Sequence, residues 1–220
     1  MIKLPSNNKK FEYENNFYLS CDNSRIGKLI VHYELFKMIN KLPGNIVECG
    51  VFKGMSLIKF ATFMNLLNNK KDKKILGFDV FGKFPETKFK KDEKMRKKFI
   101  KDSGVSGISK EQLVQILKNK KLNKKIELIK GDITKTIPKY IEKNPNLKIS
   151  LLNLDTDIYE PSVTVLNYLY PKIVKGGILI LDDYGIFPGE TQAVDEYFQN
   201  KKIEIKQFPF QKTPKYIIKK

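Results

Sequence analysis

At 220 residues the chain is long enough for one well-buried core and gives no reason to expect two domains. A hydrophobic fraction of 41% is ordinary for a globular protein, and the longest apolar runs, such as residues 178–181, fall far short of the ~20 residues a bilayer requires. The net charge of +18 raises nucleic acid and acidic membranes as partners, but only Arg25 and Arg96 are arginines and no aromatic stacking motif accompanies the dispersed lysines.

An anionic small substrate suits that charge, and a basic nucleic-acid-binding module with a degenerate Rossmann-like fold is the reading from a different class. Residues 1–10 are polar and lack a secretory signal's apolar stretch, so a cytoplasmic location is expected. Cys21 and Cys49 are expected to be reduced, Cys49 inside an apolar strand.

In chain order, residues 29–40 offer Leu29, Ile30, Tyr33, Phe36 and Met38 for packing and predict a helix, followed by the loop Leu42-Pro43-Gly44-Asn45. A strand at 46–50 precedes a helix at 55–68, where Leu57, Phe60, Ala61, Met64 and Leu67 recur at helical spacing. A strand at 75–79 leads into residues 83–121, too long and charged for a simple connection and expected to carry helices that lie over the sheet's edge as a lid. Then come a strand at 126–130, a helix at 134–143, a strand at 149–155, a helix at 160–170 and a strand at 178–182. This alternation predicts an α/β fold with a mostly parallel sheet. Short strands at 203–205 and 216–218, joined by a loop holding Pro209 and Pro214, predict a closing antiparallel hairpin. The organisation expected is an N-terminal helical segment over 1–45 and a catalytic domain over 46–220, one domain overall.

Open parallel sheets bind ligands outside the carboxyl ends of their strands, so polar residues there carry the argument. The first strand ends in Val47-Glu48-Cys49-Gly50-Val51-Phe52-Lys53-Gly54-Met55-Ser56, where Gly50 permits a tight turn and Gly54 a close approach. It is neither G-x-G-x-x-G nor a P-loop, which removes the main support for dinucleotides and ATP. A glycine turn before a helix N-terminus favours a carboxylate, and Glu48 beside it could receive an ammonium, so a zwitterionic amino-acid moiety suits the segment. Any glycine turn between strand and helix has the same outline. Asp79 ends the second strand where nucleoside-binding α/β proteins place an acid on ribose hydroxyls. After the third strand, Asp132 could face an adenine amino group while Ile133 packs on the ring, or Asp132 could simply cap a helix. Asp155, Asp157, Asp182 and Asp183 gather at the fourth and fifth strand ends, and crowded carboxylates call for a hard, oxygen-liganded cation such as magnesium. His32, the one histidine, is expected to be structural or at the rim, so zinc and hydrolytic triads lack their residues.

Ordered blocks between about Leu42 and Phe198 resemble the magnesium-dependent sugar O-methyltransferases typified by macrocin O-methyltransferase. They are residues 44–56, 78–86 (Phe78-Asp79-Val80-Phe81-Gly82-Lys83-Phe84-Pro85-Glu86) and 154–160 (Leu154-Asp155-Thr156-Asp157-Ile158-Tyr159-Glu160). Leu169-Tyr170-Pro171-Lys172, Gly176-Gly177, Asp182-Asp183-Tyr184 and Gln192-Ala193-Val194-Asp195 complete the set. The resemblance implies a Rossmann-like class I methyltransferase with a seven-stranded sheet and helices on both faces. It implies S-adenosylmethionine held by Glu48, Gly50, Ser56, Asp79 and Asp132, with Val51, Gly54 and Ile133 lining the same place. It also implies magnesium on Asp155, Asp182 and Asp183, with Asp155 and Asp157 in catalytic roles. The acceptor implied is a sugar or nucleotide-sugar hydroxyl; another vicinal diol, such as a catechol, fits the same chemistry. A homodimer through the N-terminal helix is compatible, and neither nucleic acid nor membrane is an expected partner.

Overall fold

The computed structural model describes residues 2–67 and 73–220. Seven strands form one sheet in the order β3-β2-β1-β4-β5-β7-β6. The parallel members are β1 (Asn45–Cys49), β2 (Ile75–Asp79), β3 (Ile126–Lys130), β4 (Ile149–Leu154) and β5 (Ile173–Leu181). The antiparallel pair β6 (Lys206–Phe208) and β7 (Gln211–Ile218) closes one edge against β5.

Alternation along the inner strands sends side chains to two cores. Ile46, Leu151, Ile178 and Ile180 meet Val31, Leu35, Phe36 and Ile39 of α2 (Asn23–Ile39), Leu57 and Phe60 of α3 (Met55–Leu66), and Leu113 and Leu117 of α5 (Lys110–Asn119). On the other face Val47, Cys49, Leu152, Leu154, Leu179 and Leu181 pack against α6 (Ile133–Lys143), α7 (Tyr159–Leu169) and α8 (Pro188–Phe198). Helices therefore cover both faces, as a class I methyltransferase fold requires. Among the described residues no helix is long and apolar enough to cross a membrane, and both cysteines are free.

The expected elements differ from the observed ones mainly at the ends. The first predicted helix begins six residues early, at Asn23, where Asp22 caps it by accepting from the Ser24 N–H at 2.8 Å. A further helix, α1 (Lys10–Ser20), precedes it with no buried residue. Asn68, the last residue of the predicted 55–68 helix, lies outside the described residues, as does Met1. β5 starts at Ile173 rather than 178, because its ladder continues through the glycines: the Gly176 N–H donates to the Lys219 carbonyl and the Lys219 N–H to that of Gly177. The expected strand at 203–205 is not one, since pairing with β7 begins only at Lys206, opposite Tyr216. Pro214 lies inside β7 rather than in a loop, at the register shift between the Lys206–Tyr216 and Phe208–Gln211 pairs, so its missing N–H interrupts no paired position.

Residues 83–121 carry two helices with different burial. α5 contributes to the core, whereas α4 (Glu93–Ser103) buries no residue and reaches across the rim through Phe99, whose ring lies 5.3 Å from Phe52 and 6.2 Å from Phe187. Asp92, just before α4, is wholly buried: Oδ2 accepts from the Tyr159 N–H at 3.0 Å and Oδ1 from the Gly189 N–H at 2.6 Å. One carboxylate thus joins the first turns of α7 and α8, where unpaired N–H groups and the helix dipole both favour it. Asp92→Ala would strand two buried donors and is expected to cost about 2–4 kcal/mol in urea unfolding. A loss below ~0.5 kcal/mol would show that Asp92 is not the tie.

Candidate active site

The ends of β1 to β5 are level, because the ladder runs one residue beyond β1, β3, β4 and β5. The Gly50 N–H donates to the Phe78 carbonyl, Gly131 to Asp79, Asp155 to Cys49 and Asp182 to Leu154, at 2.9–3.0 Å. Strand order reverses between β1 and β4, and there Gly50 and Asp155 meet. Gly50 holds φ +91°, and a Cβ on it would fall 1.6 Å from the Asp155 carbonyl oxygen, so no other residue fits. Gly54, at φ +80°, forms the left-handed cap from which α3 starts.

Within this turn Glu48 is fully buried. Its Oε1 accepts from the Ser56 hydroxyl at 2.7 Å, while Oε2 has no partner among the described residues. Burial, only partly opposed by that bond, pushes the carboxyl up to about 8. Asp79 does something the sequence did not suggest: Oδ2 accepts from the Val51 and Phe52 N–H groups at 2.8 and 3.0 Å, and Oδ1 from Phe81 at 2.5 Å. It therefore shapes the glycine turn, with burial raising its carboxyl against those three bonds. Asp132 is exposed and caps α6 by accepting from the Thr134 N–H at 2.9 Å, and Ile133 behind it is buried in the core.

Asp155, Asp157 and Asp183 come together, offering carboxylate oxygens all within 4.8 Å of one another. Asp157 stands at φ +61° beside Asp183. Burial, then the neighbouring aspartates, push Asp155 and Asp157 well above the usual carboxylate range, and burial with Asp182 raises Asp183 to about 6. Asp182 turns elsewhere. Its Oδ2 pairs with the Lys28 ammonium of α2 at 2.5 Å, and Oδ1 lies 3.9 Å from His32 Nε2. Against the cost of burial, Lys28 and His32 hold Asp182 below the usual carboxylate range. His32 is wholly buried, its ring 5.1 Å from Phe60.

Three participants were invisible in the sequence. Lys28 resembles every other lysine until α2 lays it across the rim. Asn153 of β4 sits in register with Glu48, buried and with neither amide atom partnered among the described residues. Glu190, in the first turn of α8, accepts from the Asp183 N–H at 3.0 Å and is wholly buried. Carboxylates in a strand-end Asp-Asp pair can be found by pattern, whereas these three depend on which helix face turns inward.

Residues 24–213 match the macrocin O-methyltransferase (TylF) family. The chain is 30% identical to the demethyldecarbamoylnovobiocin O-methyltransferase of Streptomyces niveus over 162 residues, 72% of this chain and 59% of that protein. It is 27% identical to the mycinamicin III 3''-O-methyltransferase of Micromonospora griseorubida over 163 residues, 71% of this chain and 61% of that one. It thus spans about three fifths of the length of these curated relatives. Among solved structures, apo CalS11, a TDP-rhamnose 3'-O-methyltransferase, superposes with a TM-score of 0.75 at 25% identity, covering 97% of this chain and 88% of that one. With a seven-stranded sheet, a glycine turn and an aspartate cluster at the positions described, the chain belongs to the macrocin O-methyltransferase family.

Proposed function

We propose that the protein is a magnesium-dependent O-methyltransferase that uses S-adenosylmethionine to methylate a sugar hydroxyl on a glycoside or nucleotide-linked deoxysugar. One observation carries this reading: the orphaned, buried Oε2 of Glu48 and the Asp155, Asp157 and Asp183 carboxylates stand at the same rim, on either side of the Gly50–Asp155 contact. The relatives' names support the acceptor class.

The residues present fit both groups. An ammonium would satisfy Glu48 Oε2, which lacks a partner among the described residues, and the Gly50 and Gly54 turn carries no side chain at either glycine to obstruct the rest of the amino-acid moiety. In this reading Val51, Ser56 and Asp79 hold the turn's shape, with Asp79 also facing the ribose and Asp132 and Ile133 flanking the adenine. For the metal, an all-oxygen donor set and mutually repelling aspartates suit a hard divalent cation. Asp155 and Asp183 are common to the geometric cluster and to the set the family resemblance implies; Asp182 joins them by releasing Lys28.

S-Adenosylmethionine supplies an electrophilic methyl group for in-line displacement, and magnesium supplies Lewis acidity and a template for adjacent hydroxyls. The chain's own groups do the rest. An Asp157 carboxylate oxygen accepts the hydroxyl proton, and α4, with Phe99 against Phe52 and Phe187, excludes water above the rim. The domain organisation follows: residues 1–45 form the helical segment that brings Lys28, and 46–220 the catalytic body. A small-molecule acceptor in the cytoplasm, with no nucleic-acid or membrane partner, completes the reading. A homodimer would cover Phe11, Phe17, Tyr18 and Leu19, which α1 leaves exposed.

S-Adenosylhomocysteine at 100 times its dissociation constant is expected to add ~2.7 kcal/mol, raising the melting temperature by about 5–11 °C. No shift at saturation would reject the cofactor. Asp155→Asn and Asp183→Asn should each abolish magnesium-dependent turnover while leaving S-adenosylhomocysteine binding, followed by calorimetry, largely intact. Retained turnover in either would remove the metal assignment, and an acceptor panel of nucleotide sugars, glycosides and catechols would separate the acceptor classes.

Glu48 gives a pH test. Its folded value of about 8 stands above its ordinary 4.5, so the stability it contributes is fully present below that ordinary value and is lost as pH rises towards 8. Between about pH 5 and pH 8, the ligand-free wild type should therefore lose melting temperature relative to Glu48→Gln, and bound S-adenosylhomocysteine should flatten the difference. An unchanged gap across that range counts against a buried, proton-holding Glu48.

A further inference from the structure

The aspartate-bearing turns belong to different β-α units. One, Asp155-Thr156-Asp157, follows β4; the other, Asp182-Asp183, follows β5. A site requiring carboxylates from both needs their separation fixed to a fraction of an ångström. We propose that Glu190 is the positioning residue that fixes it, through one bond to each turn; this rests on the metal reading above.

Glu190 lies in the first turn of α8 with no exposed surface. Its backbone N–H donates to the Asp157 carbonyl at 3.2 Å, and its Oε1 accepts from the Asp183 N–H at 3.0 Å. One residue therefore spans the gap between the turns. Asp157 is held at φ +61°, in the left-handed region that aspartate tolerates better than most side chains, and the bond from Glu190 to its carbonyl helps hold it there. Glu190 has little freedom of its own. A Cβ on Gly189 would fall 2.0 Å from Asp92 Oδ2 and 2.5 Å from the Tyr159 nitrogen, so the start of α8 is seated directly on the Asp92 brace and on α7.

Electrostatics alone would not put another carboxyl here. Glu190 is buried beside Asp183, and its Oε2 has no partner among the described residues. The acceptor reaching the Asp183 N–H is the contribution that offsets this placement. Positions of this kind, which orient metal-binding carboxylates without touching the metal, commonly change metal affinity by about 10–100-fold.

The test uses the full chain, with Mn²⁺ binding followed by electron paramagnetic resonance and S-adenosylhomocysteine binding by calorimetry. Glu190→Ala is expected to weaken Mn²⁺ by ~10–100-fold while S-adenosylhomocysteine affinity stays within about 2-fold. Glu190→Gln retains an acceptor for the Asp183 N–H and should restore Mn²⁺ affinity to within about 3-fold of wild type. Glu190→Met, which keeps the volume and removes the acceptor, should behave as Ala does and stands in for it if Ala fails to fold. Wild-type Mn²⁺ affinity in the Ala or Met variant overturns the proposal. A Gln variant as weak as Met also overturns it, because charge rather than positioning would then be responsible. Wild-type protein that binds no Mn²⁺ rejects the metal reading itself and the proposal with it, an outcome distinct from the other two.

Discussion

Repulsion among buried and half-buried carboxylates shapes the rim more than any other interaction. Glu48, Asp155, Asp157, Asp182, Asp183 and Glu190 crowd into a region where low polarity magnifies the energy between like charges. Several are relieved individually. Asp182 has the Lys28 ammonium, Glu48 accepts from the Ser56 hydroxyl, and Glu190 accepts the Asp183 N–H. Asp79, a little apart, draws on three backbone donors. The Lys28 ammonium pairs with Asp182, and the crowding that remains favours further positive charge at the rim; the amino group at Glu48 and the divalent ion among the aspartates are proposed on that ground.

Much of this was legible in the sequence because strands buried on both faces read as short apolar runs whose last residue is polar. Asp79, Asp155 and Asp182 could thus be assigned to one rim before any coordinates, and the glycines at 50 and 54 identified the turn. The roles were less legible than the places. Asp79 was expected to face a ligand and is already engaged by backbone donors, and Asp132 is a helix cap. An acid at a strand end looks the same whether it points at a ligand or at the next turn's N–H groups.

What pattern reading missed shares a cause. α8 follows a loop and carries Pro188-Gly189-Glu190-Thr191, a start without a conventional side-chain cap, so neither the helix nor Glu190 stood out. The charged stretch 83–121 reads as one unit in the sequence, although α5 has an apolar face buried in the core and α4 has none. The early start of α2 depends on the Asp22 cap, and that extra length carries Lys28 to Asp182. Tertiary placement decided each of these cases, and periodicity over a single segment contains no information about it.

Asp92 has a consequence for which part of the rim can vary. It fastens the chain to α7 and α8 immediately before α4 begins, and Ser109, capping α5 with Gln112, fastens it again before the core helix. Within the stretch between these anchors, Ile108 is core and its N–H donates to the Phe52 carbonyl of the glycine turn, whereas α4 buries no residue. Variation confined to α4 can therefore reshape the surface above the rim while the sheet, the glycine turn and the aspartates keep their supports.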